Sequence, residues 1–71
     1  MRDVEINKQP VELYKILKFE GLTGSGAEAK TAVAEGMVRV NGQVETQKRK
    51  KIVAGDVIEF ASEKLRITFP E

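Results

Sequence analysis

The chain predicts an α+β fold, with two short helices in a helix-turn-helix-like pair packed on a small, mostly antiparallel β-sheet, and three stretches carry that reading. Ser25 followed three residues later by Glu28 is a capping box: the Ser hydroxyl accepts the amide of the third helical position, and the Glu side chain reaches back to the Ser amide. Such a cap is worth about 1 kcal/mol. Gly36 then stops the helix, because only glycine enters the left-handed conformation beyond a helix end without a Cβ penalty, so the spacing predicts a helix over 26–35. Met37-Val38-Arg39-Val40 alternates, and Asn41-Gly42 supplies the two positive-φ residues of a type I′ hairpin turn. Near the C-terminus Lys64 to Phe69 alternates again, with Leu65, Ile67 and Phe69 inward and Lys64, Arg66 and Thr68 outward.

Taken in order, Asp3 to Ile6 places Val4 and Ile6 between charges, as a short strand does. Pro10 suits the first turn of a helix, where its missing N–H costs nothing, and Val11 to Glu20 follows as that helix before Gly21. Leu13, Ile16 and Leu17 form its inward stripe, with Val11, Tyr14 or Phe19 at the margins. Both aromatics read as packing groups rather than as platforms for a base. Gly21 to Gly24 is a tight connection in which Leu22 plugs the gap between the helices. On the second helix, steps of about 100° put Ala29, Ala32 and Val33 on one face, Glu28, Thr31 and Glu35 on another, and Lys30 with Ala27 and Ala34 on a third. In the hairpin, Val38 and Val40 point toward the helices and Arg39 away, and Gln43 to Thr46 is the return strand. After the basic run Lys48-Arg49-Lys50-Lys51, Ile52-Val53 and Val57 to Phe60 are extended, separated by the turn Ala54-Gly55-Asp56, where the Asp carboxylate bonds its own backbone. Asp56 is therefore structural rather than catalytic. The last strand is expected to pair with the N-terminal one and close the sheet.

With 71 residues the expectation is a single domain over 1–71. A chain of this size buries only about 60% of its unfolded surface, so its core is small. Cysteine and histidine are both absent, which removes disulfides, thiolate nucleophiles, imidazole bases and nearly every zinc or haem ligand set. No apolar run approaches the roughly 20 residues of a membrane helix, and Met1-Arg2-Asp3-Val4-Glu5 lacks the apolar stretch of a signal peptide. A cytoplasmic protein without catalytic residues, cofactor, metal or membrane contact is expected. The net charge of +1 conceals an asymmetry: residues 30–51 hold six basic side chains against two acidic ones, a balance of +4, and the rest holds six against nine, a balance of −3. A positive patch of that kind attracts polyanions, and a solvated loop rich in lysine produces the same count.

Three pieces, S-x-x-E-A-K from Ser25 to Lys30, E-G-x-V-x-V-N-G from Glu35 to Gly42 and G-D-x-I from Gly55 to Ile58, occur jointly with the basic run Lys48 to Lys51 between the second and the third. In that order they resemble the S4 family of RNA-binding domains, above all its small free-standing members, over about Val11 to Phe60. The resemblance implies a module of the αL RNA-binding type that presents its second helix and the following hairpin to structured RNA. Carried onto this chain, the binding positions are Ser25 and Gly26 at the helix start, Lys30 on the helix, Arg39 on the strand, and Lys48, Arg49, Lys50 and Lys51 in the loop. Glu28, Gly36, Asn41, Gly42, Gly55 and Asp56 serve the caps and turns first. One departure matters: many family members have Ser-Arg where this chain has Ser25-Gly26, so a cation expected at the helix start must come from elsewhere or be absent.

Residue chemistry keeps alternatives open at two of these positions. The methyl neighbours of Lys30 let a nucleic-acid backbone approach, and they equally serve helix propensity or close packing. Arg39 on a rigid strand has its forked donors fixed for a phosphate or a base edge, or it is solvated or paired with Glu45. The expected partner is structured RNA, ribosomal or transfer RNA, bound by a monomer. A protein-interaction adaptor in a larger RNA-processing or translation-related complex is the competing class, and salt separates the two. DNA reading fits less well, since the second helix offers Glu28 and Glu35 and one Lys to the major groove.

Overall fold

Apolar side chains from two layers meet in one core: Val4, Val38, Val40, Ile58, Leu65 and Ile67 from the strands, Leu13, Ile16, Leu17, Ala29, Ala32 and Val33 from the helices. The computed structural model describes residues 1–70; Glu71, the end of the expected domain, lies outside them. The elements run β1 (Arg2–Glu5), β2 (Val11–Glu12), α1 (Leu13–Phe19), α2 (Gly26–Ala34), β3 (Val38–Val40), β4 (Gln43–Val44), β5 (Lys51–Ile52), β6 (Val57–Phe60) and β7 (Glu63–Thr68). Five strands form one sheet in the order β1-β7-β6-β3-β4, antiparallel except where β1 runs parallel to β7, and β2 with β5 forms a separate two-stranded pair. The helices pack on each other and on one face of the sheet, as the α+β reading predicts.

The capped helix behaves as its sequence dictates, with one shift. Ser25 Oγ accepts the Glu28 amide at 3.1 Å, but the Glu28 carboxylate takes the Gly24 amide at 2.9 Å rather than that of Ser25. Ala29, Ala32 and Val33 are buried, Glu35 is the C-cap, and Gly36 follows at φ +77°. The hairpin turn also stands as expected, with Asn41 at φ +54° and Gly42 at +85° and Val40 opposite Gln43. Its side chain does more than permit the turn. Asn41 Nδ2 donates to Asp56 at 3.0 Å and Asn41 Oδ1 accepts the Val57 amide at 2.9 Å, while the other Asp56 carboxylate oxygen accepts the Val53 amide. Thus the two tight turns, Asn41-Gly42 and Ala54-Gly55-Asp56, are fastened to each other.

Four expectations need correction. Val11 and Glu12 do not open the first helix; they are extended, paired with Ile52 and Lys51, and the helix begins at Leu13. The reason is where the backbone finds acceptors: Leu13 and Tyr14 donate to the carbonyls of Lys50 and Lys48, and Ile52 is fully buried beneath them. The return strand is Gln43–Val44 and stops short of Thr46, because the Glu45 carboxylate captures the Gln47 amide at 3.0 Å and turns the chain. Phe19 is 70% exposed rather than packed. Phe69, expected inward, is 37% exposed: β7 ends at Thr68, whose carbonyl takes the last cross-strand bond, from the Ile6 amide.

On the sheet face away from the helices, Arg66 is bound by the Asp3 carboxylate at 2.9 and 3.3 Å across β1 and β7. That hydrogen bond, and then the carboxylate charge, hold the guanidinium above its ordinary pKa. At the β6–β7 turn Phe60 faces Glu63, leaving Ala61-Ser62 as a two-residue loop with Ala61 at φ +55°. A left-handed alanine costs about 1–2 kcal/mol, and glycine loses about 0.4–1 kcal/mol of that gain to unfolded-state entropy. Ala61→Gly is therefore expected to raise the melting temperature by roughly 2–8 °C in a thermal unfolding experiment.

Candidate nucleic-acid interface

The basic run is not a free loop. The first two amides of α1 have no side-chain cap from Glu12 and are satisfied instead by Lys50 O at 2.9 Å and Lys48 O at 3.1 Å. A helix start needs acceptors for its leading amides, and here the backbone of the basic segment supplies them. Its side chains are pushed outward as a result: Lys48, Arg49, Lys50 and Lys51 are all exposed. Lys51 lies on β5 in backbone register with Glu12, whose carboxylate receives Lys15 at 3.2 Å and Arg49 at 3.9 Å. One carboxylate so placed offsets only part of the local charge. Among the described residues Lys48, Lys50 and Lys51 have no ion-pair partner.

Lys30 joins this loop through Tyr14. Its ammonium stands 4.7 Å from the centroid of the Tyr14 ring, and the Tyr14 backbone is the group that docks Lys48. Ser25 is exposed at the N-cap with its hydroxyl committed to Glu28, and Gly26 opens α2 against α1. Arg39 stands apart, exposed on the face of β3 opposite Val38 and Val40, with Nη1 donating to Gly42 O at 3.3 Å. Its strand neighbours are Val44 and Glu59, so a pair with Glu45 is not formed. Lys30 and Lys48 thus each meet Tyr14, one at its ring and the other at its backbone amide, whereas Arg39 meets Gly42.

One residue near these positions was not singled out from the sequence. Lys18 is exposed, and its stem lies beside Gly26, 3.6 Å from where a Cβ would stand. The signal was present: Tyr14 and Lys18 are four apart on one helix, hence stacked on one face. Two surface hollows, about 460 Å³ at the β6–β7 turn and about 340 Å³ between β1 and α1, contain none of the candidate residues. Among the described residues no group of three or more His, Cys, Asp or Glu could hold a metal ion, and no helix is long and apolar enough to cross a membrane.

A sequence model of the family described as "S4 domain" matches residues 4–68. The chain is 50% identical over 68 residues to the "Putative RNA-binding protein YbcJ" of Escherichia coli strain K12, covering 94% of this chain and 97% of that one, and equally to the YbcJ protein of Shigella flexneri. Among solved structures it is similar to the solution structure of Escherichia coli YbcJ, described as revealing an αL motif involved in RNA-binding, with a TM-score of 0.73 and 49% identity over 96% of this chain and 87% of that one. It is also similar to the 30S ribosomal protein S4e of Thermoplasma acidophilum, with a TM-score of 0.69 and 31% identity over 84% of this chain and 32% of that one.

Proposed function

The chain belongs to the S4 domain family, and from that premise we propose that it binds structured RNA, ribosomal or transfer RNA, without catalysis, as a monomeric cytoplasmic single-domain module. The contact surface is built from Lys30 and Gly26 on α2, the segment Lys48 to Lys51, and Arg39 on β3. One observation carries the reading. The carbonyls of Lys48 and Lys50 cap α1, so the basic side chains are held outward by the fold. Charges presented on a fixed backbone lose less entropy on meeting a polyanion than charges on a loose loop. A protein partner is the second reading, favoured by Phe19, which is exposed beside the hollow lined by Val4, Ile6 and Val11.

Alanine at 48 and 49 keeps both capping carbonyls, so the double variant Lys48→Ala/Arg49→Ala tests the side chains alone. Exposed charges contribute little to folding, and its melting temperature is expected to stay near that of the parent. Its RNA affinity is expected to fall, with the salt slope reduced by roughly 1.5 to 2. Arg39→Ala is expected to weaken binding at equal thermal stability and, where the guanidinium contacts a base, to relax preference among RNAs. Salt titrations of each variant beside melting curves decide it: unchanged affinity in both returns the basic run to a solvated surface.

A further inference from the structure

Tyr14 is half-buried against the core, and the Lys30 ammonium over its ring has no carboxylate partner among the described residues. A cation over a phenol face is held by the ring's quadrupole. The same ring closes a seam between the helices: a Cβ at Gly26 would stand 3.6 Å from Lys18 Cδ and 3.9 Å from Tyr14 Cε2, so the stem of Lys18 and the ring edge both lie against the start of α2. Through its backbone Tyr14 holds Lys48. Lys18 and Lys30 thus lie at the Tyr14 side chain, and the backbone of Lys48 is held by the same residue.

We propose that Tyr14 is a positioning residue of the RNA site, its ring holding the Lys30 ammonium to receive a backbone phosphate, and that Lys18, whose stem lies against the start of α2 while its ammonium stands 5.9 Å from the centroid of the Phe19 ring, belongs to the same contact. The proposal rests on the RNA reading above and deepens it. A free lysine loses rotamer entropy when it grips a phosphate; Lys30 has lost part of it already. The ring occupies one side of the ammonium and leaves N–H donors on the other. Gly26 puts no side chain between the start of α2 and the Lys18 stem and Tyr14 ring edge, so Lys18 beside it and Lys30 one turn on supply the charge that position 26 lacks.

The test measures affinity for unfractionated transfer RNA and for fragmented ribosomal RNA, with Tyr14→Leu, Tyr14→Phe, Lys18→Ala, Lys30→Ala and the double variant Tyr14→Leu/Lys30→Ala. Tyr14→Leu is expected to weaken binding about 2- to 5-fold, the equivalent of the roughly 0.5–1 kcal/mol of an exposed cation–π contact. Tyr14→Phe restores it, the salt slope stays unchanged because no charge is removed, and Tyr14→Leu has no further effect once Lys30 is alanine. Lys18→Ala reduces the slope by roughly 0.7 to 0.9. Equal loss with or without Lys30, failure of Phe to restore binding, or unchanged or tighter binding in Tyr14→Leu overturns the role of Tyr14, and an unaltered slope in Lys18→Ala overturns that of Lys18. Should Tyr14→Leu not fold, proton NMR of the parent decides: the Lys30 ε-methylene must be shifted upfield by the ring both free and with RNA bound, and an unshifted signal overturns the proposal. A parent that binds neither RNA sinks the RNA reading itself, whereas normal parental binding with an inert Tyr14 sinks only this inference.

Discussion

Raising salt from about 50 to about 200 mM is expected to weaken RNA binding on the order of 50- to 150-fold, for about four neutralised phosphates at a slope of roughly −0.7 to −0.9 per phosphate. The number of phosphates follows from the charge that survives folding. Residues 30–51 carry a balance of +4, and among the described residues most of these cations are unpaired: Lys48, Lys50 and Lys51 are exposed without carboxylate partners, and Lys30 rests on an aromatic ring. Arg49 is partly offset by Glu12, at 3.9 Å, and Arg66, on the same outer face of the sheet as Arg39, is committed to Asp3. Exposed charges more than about 10 Å from a phosphate are largely screened at about 0.1 M salt, so the acidic remainder of the chain steers rather than cancels the contact. A protein partner docked on the hollow beside Phe19 gives the opposite signature, binding that tolerates salt. A flat response with RNA present sinks the electrostatic account.

What the sequence disclosed, and what it did not, divides by the range of the interactions. The capped helix, its glycine stop, the Asn41-Gly42 turn and the alternation of Val38, Val40, Leu65 and Ile67 are local signals, each set by a few consecutive residues, and all are realised except that Glu28 reaches the Gly24 amide and not that of Ser25. The β2–β5 pair is two residues on each side, too short to show a period, and nothing local distinguishes Val11-Glu12 from the first turn of a helix. The shift in the start of α1 and the seating of the basic segment follow from that pair, so both were hidden together. Placing Lys30 off the buried and acidic faces of its helix was sound, but its meeting with Tyr14 joins residues sixteen apart in the chain and depends on how two helices pack. Phe19 illustrates the reverse error. A helix period puts it at the margin of the apolar stripe, and only the absence of a covering element leaves it exposed.

Gly42→Val is expected to lower the melting temperature by roughly 5–15 °C while leaving RNA affinity at low temperature close to that of the parent. Gly42 sits at φ +85°, and a Cβ added there meets nothing within 4 Å, so the cost is that of the backbone alone and not of a clash. A left-handed residue with a side chain costs about 1–2 kcal/mol, a β-branched one more still, which outweighs the roughly 0.4–1 kcal/mol that valine gains by restricting the unfolded chain. In a domain of this size each kcal/mol shifts the midpoint by about 4–8 °C. The strain cannot be shed by letting the turn drift, because Asn41 is tied to Asp56 and Val57, and release would cost those hydrogen bonds as well. Gly42→Asn serves as the control, since Asn enters the left-handed region at lower cost, and its midpoint is expected to fall between valine and parent. Arg39 makes the binding arm informative: its guanidinium donates to Gly42 O, a backbone group that both variants retain. A Gly42→Val protein that melts like the parent yet binds no RNA overturns the assignment of Asn41-Gly42 to structure first, and it places this turn in the contact surface with Arg39.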